Sequence, residues 1–363
     1  MKEALTFNDV NIVPGFSYIE SRKDVDLSSM GMALPIISAN MDTITNSVLA
    51  RAMLDNGAQA CLHRFCTIEE NVQTFLDSCS TKISDKTKPM VSIGLGDKEL
   101  DRASALLHAN AEIFVIDVAN GAQFSVAKQA LKLKEIIKNN GSIIVGNFAS
   151  AKSVKDFLYY FNELEALKMG VGPGSSCSTR VKTGVGVPQF TAIQEIVNVL
   201  KNTGIKTIAD GGMKTSGDVA KALGIGADAV MSGSFFAGTD ESPGEVIYIH
   251  KGVQIPEGAT LDPKCYFDQI GPKPFKKYRG SASKESYEAQ GKVGKHRTSE
   301  GESFMVPYKG PVANVLQDIE GGLRSAFTYV GALNLKEFHD KVEFVRVTHA
   351  GHVEGTPHGK SNL

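Results

Sequence analysis

Eight short apolar runs, each closed by polar or glycine residues and followed by a stretch with helical spacing, constrain this chain more than any other feature. They are PIISAN (35–40), QACLH (59–63), MVSIGLG (90–96), IFVIDVANG (113–121), SIIVGN (142–147), LKMGVGPG (167–174), IKTIADGG (205–212) and AVMSGSFFAG (229–238). Most are continuously apolar rather than alternating, as strands buried on both faces of a parallel sheet should be. Between them, residues 123–139 place Val126, Ala130, Leu131, Leu133, Ile136 and Ile137 near helical spacing. Residues 191–200 repeat the pattern with Ile193, Ile196, Val197 and Leu200, and DVAKAL opens a third helix after Gly217.

Eight strand–helix units are the count of a (β/α)8 TIM barrel. A doubly wound open sheet shows the same alternation, but the run ends favour the barrel. Nearly all of them are polar or glycine: Asn40, His63-Arg64, Gly94, Asp117–Gly121, Gly146-Asn147, Gly172–Ser176, Asp210–Gly212 and Gly233-Ser234. Barrel enzymes place their chemistry at those carboxyl ends. After the eighth run the repeat breaks. Residues 239–307 are rich in Gly, Pro, Lys, Ser and Glu, and are expected to form an irregular insertion bearing a mobile flap. A helix over 312–329 follows, and the tail 350–363 is expected to be irregular. The expectation is one catalytic domain over residues 1–363.

A formal net charge of −1 gives no electrostatic footprint for nucleic acid or a membrane surface. No apolar run reaches the roughly 18 residues that span a bilayer, and the first residues, MKEALTFNDVNIVPG, lack a signal pattern. The cysteines Cys61, Cys66, Cys79, Cys177 and Cys265 are odd in number and scattered, which argues against a disulfide framework or structural zinc. The cytoplasm is the expected compartment.

Three adjacent run ends, GVGPGSS, DGGM and SGS, expose backbone N–H groups that can close on a phosphate. Each alone is explained by a tight turn; three together favour a phosphate site. No P-loop pattern occurs, and no GxGxxG follows the first run. Cys61, centred in an apolar strand, reads as a small buried hydrophobe. Cys177 lies instead in a polar glycine loop near Thr179, Arg180 and Lys182, where positive charge favours a thiolate, so it is the candidate nucleophile. Asp210 could grip a ribose diol or cap a turn, and Asp117 has the same ambiguity. Glu300 alone reads as a solvated residue. His349, His352 and His358 give only a weak metal spacing.

The segments LTFNDVNIVP (5–14), SANMDT (38–43), IDVANG (116–121), GVGPGSSCSTR (170–180), ADGGMKTSGDVAKALGIGADAVMSGS (209–234), ESPGE (241–245), YRGSAS (278–283) and GGLRSAFTYVGA (321–332) resemble the inosine monophosphate dehydrogenase / GMP reductase family over nearly the whole chain. The resemblance implies a (β/α)8 barrel that assembles into homotetramers. The family has two activities: oxidation of IMP to XMP with NAD, and reductive deamination of GMP to IMP with NADPH. IDVANG, Asn40 in SANMDT, RVKTGVG and HRTSEG are similar to the reductive branch. The Arg-Tyr pair and the tandem regulatory domain of the dehydrogenases have no counterpart, since TIEENVQTFLDSCS leads directly to the third run. VGVPQ, GTDESPGE, VPYKGP and AGHVEGTPHG are similar to the dehydrogenases, and His63-Arg64-Phe65 stands where the reductases carry His-Lys. The reductive activity is therefore expected, with a short dehydrogenase as the alternative.

By that resemblance Cys177 attacks purine C2, and Thr179 with Glu300 moves the proton that lets ammonia leave. The phosphate is implied to sit on Ser175, Gly212, Gly233, Ser234 and Tyr278, next to Gly211, and the ribose on Asp210. Asn40, Met41, Gly280, Ser281, Arg297 and Gly301 are implied to contact the nucleotide. Ser21, Arg22, Arg64, Asp117, Val118 and Ala119 match NADPH positions, with Ser325 and Tyr329 matching positions that a neighbouring subunit can supply. The carbonyls of Gly172, Gly174, Cys177 and Arg180 are similar to a K⁺ site, which Glu354 could complete across an interface.

Overall fold

The computed structural model describes residues 2–79, 88–250, 252–255, 271–289 and 298–357. Strand β1 (Val10–Ile12) precedes eight parallel strands: β2 (Ile36–Ser38), β3 (Gln59–Leu62), β4 (Met90–Ile93), β5 (Ile113–Asp117), β6 (Ser142–Phe148), β7 (Ala166–Met169), β8 (Lys206–Asp210) and β9 (Ala229–Ser232). These eight close into a barrel, with β9 paired to β2. Each coincides with one of the apolar runs.

Continuous apolarity has a direct cause in the packing. Ile37, Cys61, Met90, Val115, Ile144, Ala166, Ile208 and Ala229 form one buried cluster inside the barrel. Their chain neighbours Ile36, Ala60, Val91, Phe114, Ile143, Leu167, Ala209 and Val230 belong to the larger cluster packed against the helices. Both faces of every strand therefore exclude water, and each large apolar side chain so buried contributes about 1.5–3 kcal/mol.

The helices wrap this core. Helix Phe124–Ile137 buries Val126, Ala127, Ala130, Leu133 and Ile137, whereas Leu131 faces solvent instead of joining that stripe. Helix Ser216–Gly224 starts at a capping box in which the Thr215 hydroxyl accepts from the Asp218 N–H, while Asp218 accepts from the Thr215 N–H. Helix Val312–Val330 is the eighth barrel helix and ends at Gly331, whose φ of 77° is left-handed.

Among its described residues, the insertion is more regular than expected. Strands β10 (Ile247–His250), β11 (Val253–Ile255), β12 (Lys273–Arg279) and β13 (Ser303–Pro307) form an antiparallel sheet in the order β11-β10-β12-β13. A short helix, Lys284–Ala289, lies between β12 and β13. In β12 the alternation is real but disguised: Lys276 and Tyr278 are buried, while Lys277 is exposed. The Lys276 ammonium donates to the carbonyls of Asp240 (3.2 Å) and Ser242 (2.8 Å), which lets a lysine occupy an inward position. The tail is also more regular than expected. Residues His349–Glu354 form a helix, after β14 (Phe344–Arg346) pairs antiparallel with β1.

Candidate active site

The carboxyl ends of the barrel strands open into a cavity of about 550 Å³ that the insertion partly covers. The loop after β7 supplies Cys177. Its N–H donates to the Gly174 carbonyl at 3.0 Å, and its Sγ lies 3.1 Å from Thr179 Oγ1. Thr179 donates to Glu300 Oε2 at 2.8 Å. A hydroxyl has one proton to give, so with Thr179 donating to Glu300 the thiol is the donor to Thr179. The three groups thus form a directed path from sulfur to carboxylate. Two further bonds fix it: Ser178 N–H to Glu300 O at 2.8 Å and Glu302 N–H to Ser176 O at 2.8 Å.

The glycines of this loop have a specific task. A Cβ on Gly172 or Gly186 would stand 2.6 Å from Arg180 Cγ. Those glycines admit the Arg180 side chain, whose guanidinium donates to the carbonyls of Val171 and Val187. Arg180 therefore clips the loop, and Lys182 is exposed. Burial holds Arg180 below its usual value, against the pull of the nearby Cys177 sulfur.

A second cluster lies deeper. Lys168, on β7, is only 2% exposed. Its Nζ donates to Asn147 Oδ1 at 2.5 Å and Asp210 Oδ2 at 2.6 Å, and pairs with Asp117 Oδ1 at 2.8 Å. Asn147 also donates to Asp210 Oδ2 at 2.9 Å. Burial alone would lower the Lys168 ammonium, but the two carboxylates hold it well above its usual range. Burial pushes the Asp117 carboxyl up, and the Lys168 charge more than offsets this, leaving it low. Gln189 steadies the same strand ends, donating to the carbonyls of Met169 (2.9 Å) and Asp210 (3.1 Å). Gly170, at φ 142°, leaves no room for a side chain, since a Cβ would lie 2.3 Å from the Asp210 carbonyl.

Most of the residues singled out in the sequence meet here. Asn40, Met41, Ser175, Asp210, Gly211, Gly212, Gly233, Ser234, Tyr278, Gly280, Ser281 and Gly301 line the cavity with Cys177 and Glu300. Arg64, Asp117, Val118 and Ala119 line it too, as do Gly172 and Gly174. Arg64 packs its guanidinium on Gly94 and over the Phe65 ring, 5.1 Å from the centroid. Ser21, Arg22, Ser325 and Tyr329 do not line this cavity. Ser21 caps the short helix Arg22–Asp24, and the Arg22 carbonyl accepts from Arg324 on helix Val312–Val330. Arg297 lies outside the described residues. Glu354 is exposed on its helix. Cys61 sits inside the barrel, where burial pushes its thiol far up, consistent with a packing role. Lys168 and Gln189 were not singled out from the sequence, and Asn147 only as one of the polar strand ends. A signal was available for Lys168 as well: a charged residue within an otherwise apolar run.

Among the described residues no cluster of His, Cys, Asp and Glu could hold a metal ion, and no helix is long and apolar enough to cross a membrane.

The model of the IMP dehydrogenase / GMP reductase domain matches residues 4–358. The chain is similar to the GMP reductase of Klebsiella pneumoniae subsp. pneumoniae, 36% identical over 355 residues covering 94% of each protein. It is 35% identical to the GMP reductase of Escherichia coli O81, again over 94% of each. With the inosine-5'-monophosphate dehydrogenase of Methanocaldococcus jannaschii it shares 28% identity over 495 residues, covering 98% of this chain and 95% of that protein. A barrel whose strand ends gather these motifs around one thiol, matched along almost its full length, belongs to the IMP dehydrogenase / GMP reductase family.

Proposed function

We propose that this protein is a GMP reductase, converting GMP to IMP and ammonia with NADPH in purine nucleotide salvage. The observation that carries the reading is the path from Cys177 Sγ through Thr179 Oγ1 to Glu300 Oε2 at the cavity wall. Cys177 Sγ bonds to purine C2 as its proton passes through Thr179 to Glu300. Glu300 returns that proton to the exocyclic amine, which departs as ammonia and leaves a thioimidate on Cys177. When bound, the reduced nicotinamide supplies the hydride for C2. The C2–S bond then breaks, releasing IMP and a thiolate, which takes up one proton from solvent to restore the thiol. Water must be kept out while the thioimidate exists, and the insertion covering the thiol serves that need.

Asp210 holds the ribose hydroxyls through the oxygen that Lys168 and Asn147 leave available. The glycine turns at Gly212 and Gly233, with Ser175, Ser234 and Tyr278, hold the phosphate. Gly211 belongs to the same turn. Asn40, Met41, Gly280, Ser281 and Gly301 flank the base. Arg64, Asp117, Val118 and Ala119 would hold NADPH. Arg64 fits that role, because it lines the cavity and its buried Nε has no hydrogen-bond partner among the described residues. The carbonyls of Gly172, Gly174, Cys177 and Arg180 would bind K⁺. Those of Gly174 and Arg180 each accept one N–H, from Cys177 and Gly184, and keep a second lone pair, so the donors suit a hard cation.

Phe16, Tyr18 and Tyr329 are exposed aromatic residues close in sequence to Ser21, Arg22 and Ser325. That exposure supports a homotetramer in which these residues serve a neighbouring chain. The four described cysteines are free thiols, which suits the cytoplasm.

The test is a paired assay. GMP with NADPH should consume the reduced cofactor and yield IMP; IMP with NAD should yield little NADH. The reverse outcome would establish the dehydrogenase reading, which the Methanocaldococcus relative favours.

A further inference from the structure

Asp42 and Arg279 form an ion pair between the loop after β2 and the end of β12. The contact is reinforced from both sides by one hydroxyl. Thr43 Oγ1 donates to the Arg279 carbonyl at 3.1 Å and accepts from the Arg279 N–H at 3.4 Å. Both charged side chains are largely shielded, 17% exposed for Asp42 and 22% for Arg279. The pair is incomplete, since Asp42 Oδ1 and Arg279 Nε are buried and lack a hydrogen-bond partner among the described residues. A guanidinium facing a carboxylate can make two parallel bonds; here one pair of atoms goes unused.

The position of this pair gives it meaning. Asn40 and Met41 immediately precede Asp42, and Tyr278 and Gly280 flank Arg279. All four line the cavity, and Tyr278 packs back toward Met41, its hydroxyl 3.9 Å from the sulfur. Elsewhere the insertion's site end rests on the cysteine loop itself, through Glu300 and Glu302. Arg279 ties it instead to the loop after β2, a different strand end from the one that carries the nucleophile.

Resting on the proposed reductive activity, we infer that Asp42, Arg279 and Thr43 are positioning residues. They form a clasp that fixes the insertion over the thiol and keeps water from the thioimidate on Cys177. The monodentate geometry leaves the clasp releasable, because one buried donor and one buried acceptor regain water when it parts. If it opens early, water adds at C2 in place of hydride. A C–O bond forms, the C–S bond breaks, and the product is xanthosine monophosphate, with no change in the nicotinamide. The net reaction is then GMP plus water to xanthosine monophosphate plus ammonia.

The test measures product ratio. Wild type, Arg279→Gln, Arg279→Lys, Asp42→Asn and Thr43→Val are incubated with GMP and limiting NADPH. IMP and xanthosine monophosphate are then separated chromatographically. The share of xanthosine monophosphate should rise about tenfold in Arg279→Gln and Asp42→Asn, equivalent to ~1.4 kcal/mol in the balance of closed and open forms. It should rise less in Arg279→Lys, which keeps the charge but not the fork. Thr43→Val leaves the ion pair in place and should shift the share in the same direction by a smaller factor. A merely structural role would lower activity and melting midpoint while leaving the product ratio at the wild-type value. That result in the folded variants overturns the clasp. If the charge variants do not fold, an unchanged ratio in Thr43→Val overturns it. A wild-type protein that makes no IMP from GMP overturns the reductase reading instead, so the two failures are distinct.

Discussion

Replacing Lys168 with Met keeps an unbranched apolar stem and removes the ammonium that Asp117 and Asp210 share. The lysine is 2% exposed and makes three contacts of 2.5–2.8 Å with Asn147, Asp210 and Asp117. Removing one partner from a buried ionic cluster costs about 3–5 kcal/mol, because the remaining charges stay desolvated. Unfolding entropy of about 2.1 cal/mol/K per residue over 363 residues is roughly 0.8 kcal/mol/K. The melting midpoint should therefore fall by about 4–7 °C at pH 7.

The pH dependence gives the sharper check. In the native protein Asp117 lies below its ordinary value, so its contribution is present above about pH 4 and is lost as pH falls through that region. In Lys168→Met two neighbouring, largely shielded carboxylates lose their shared counter-ion, with Arg64 left as the weaker cationic influence on Asp117, and one of them holds a proton in the fold. The folded variant then binds more protons than its unfolded chain at mildly acidic pH, and acid stabilises it. The deficit against wild type should be widest near pH 7 and should shrink towards pH 5. Scanning calorimetry at both values measures it, with Lys168→Arg as the charge-retaining control. A deficit that stays constant with pH, or a midpoint within about 1 °C of wild type, would refute the reasoning.

Thr179→Val and Glu300→Gln should each lower kcat by roughly 10²–10⁴ with little change in nucleotide KM, since both cut the proton path rather than the pocket; steady-state kinetics separates the two. Gly233→Ala should raise nucleotide KM, because the new Cβ would meet Met41 Sδ at 2.9 Å and the Tyr278 hydroxyl at 3.1 Å. Overpacking of about 1–3 kcal/mol corresponds to roughly 5- to 150-fold, and unchanged binding would show that the turn yields freely. Burial lowers both His63 and His339, so the unfolded chain binds more protons than the fold below about pH 6.5. Their contribution to stability should decline from pH 7 to 5.5, and His63→Gln should flatten part of that slope in thermal melts.

The barrel was legible because its strands are buried on both faces, so no polar residue interrupts the pattern of Ile36-Ile37 or Ile143-Ile144-Val145. The sheet of the insertion was hidden for the opposite reason. It is partly solvated, short in its strands, and carries Lys276 inward with its charge satisfied by carbonyls. The thiol stands out through its polar surroundings, and of its cationic neighbours Arg180 both clips the loop and interacts electrostatically with the sulfur. Glu300 could be linked to Cys177 only by resemblance, because local spacing carries no information about a contact made across the fold. Lys168 was visible as an exception within LKMG, but nothing local says that two carboxylates from other strands wait for it.

Thr179 and Glu300, the last two groups of the path from the sulfur, are 121 positions apart along the chain. Neither segment alone contains a reactive centre. A nascent, truncated or half-melted chain carries only an idle cysteine, harmless to passing metabolites. Under the proposed mechanism, parting the outer sheet from the cysteine loop separates Thr179 from Glu300 and so disarms the sulfur while the barrel strands stay paired.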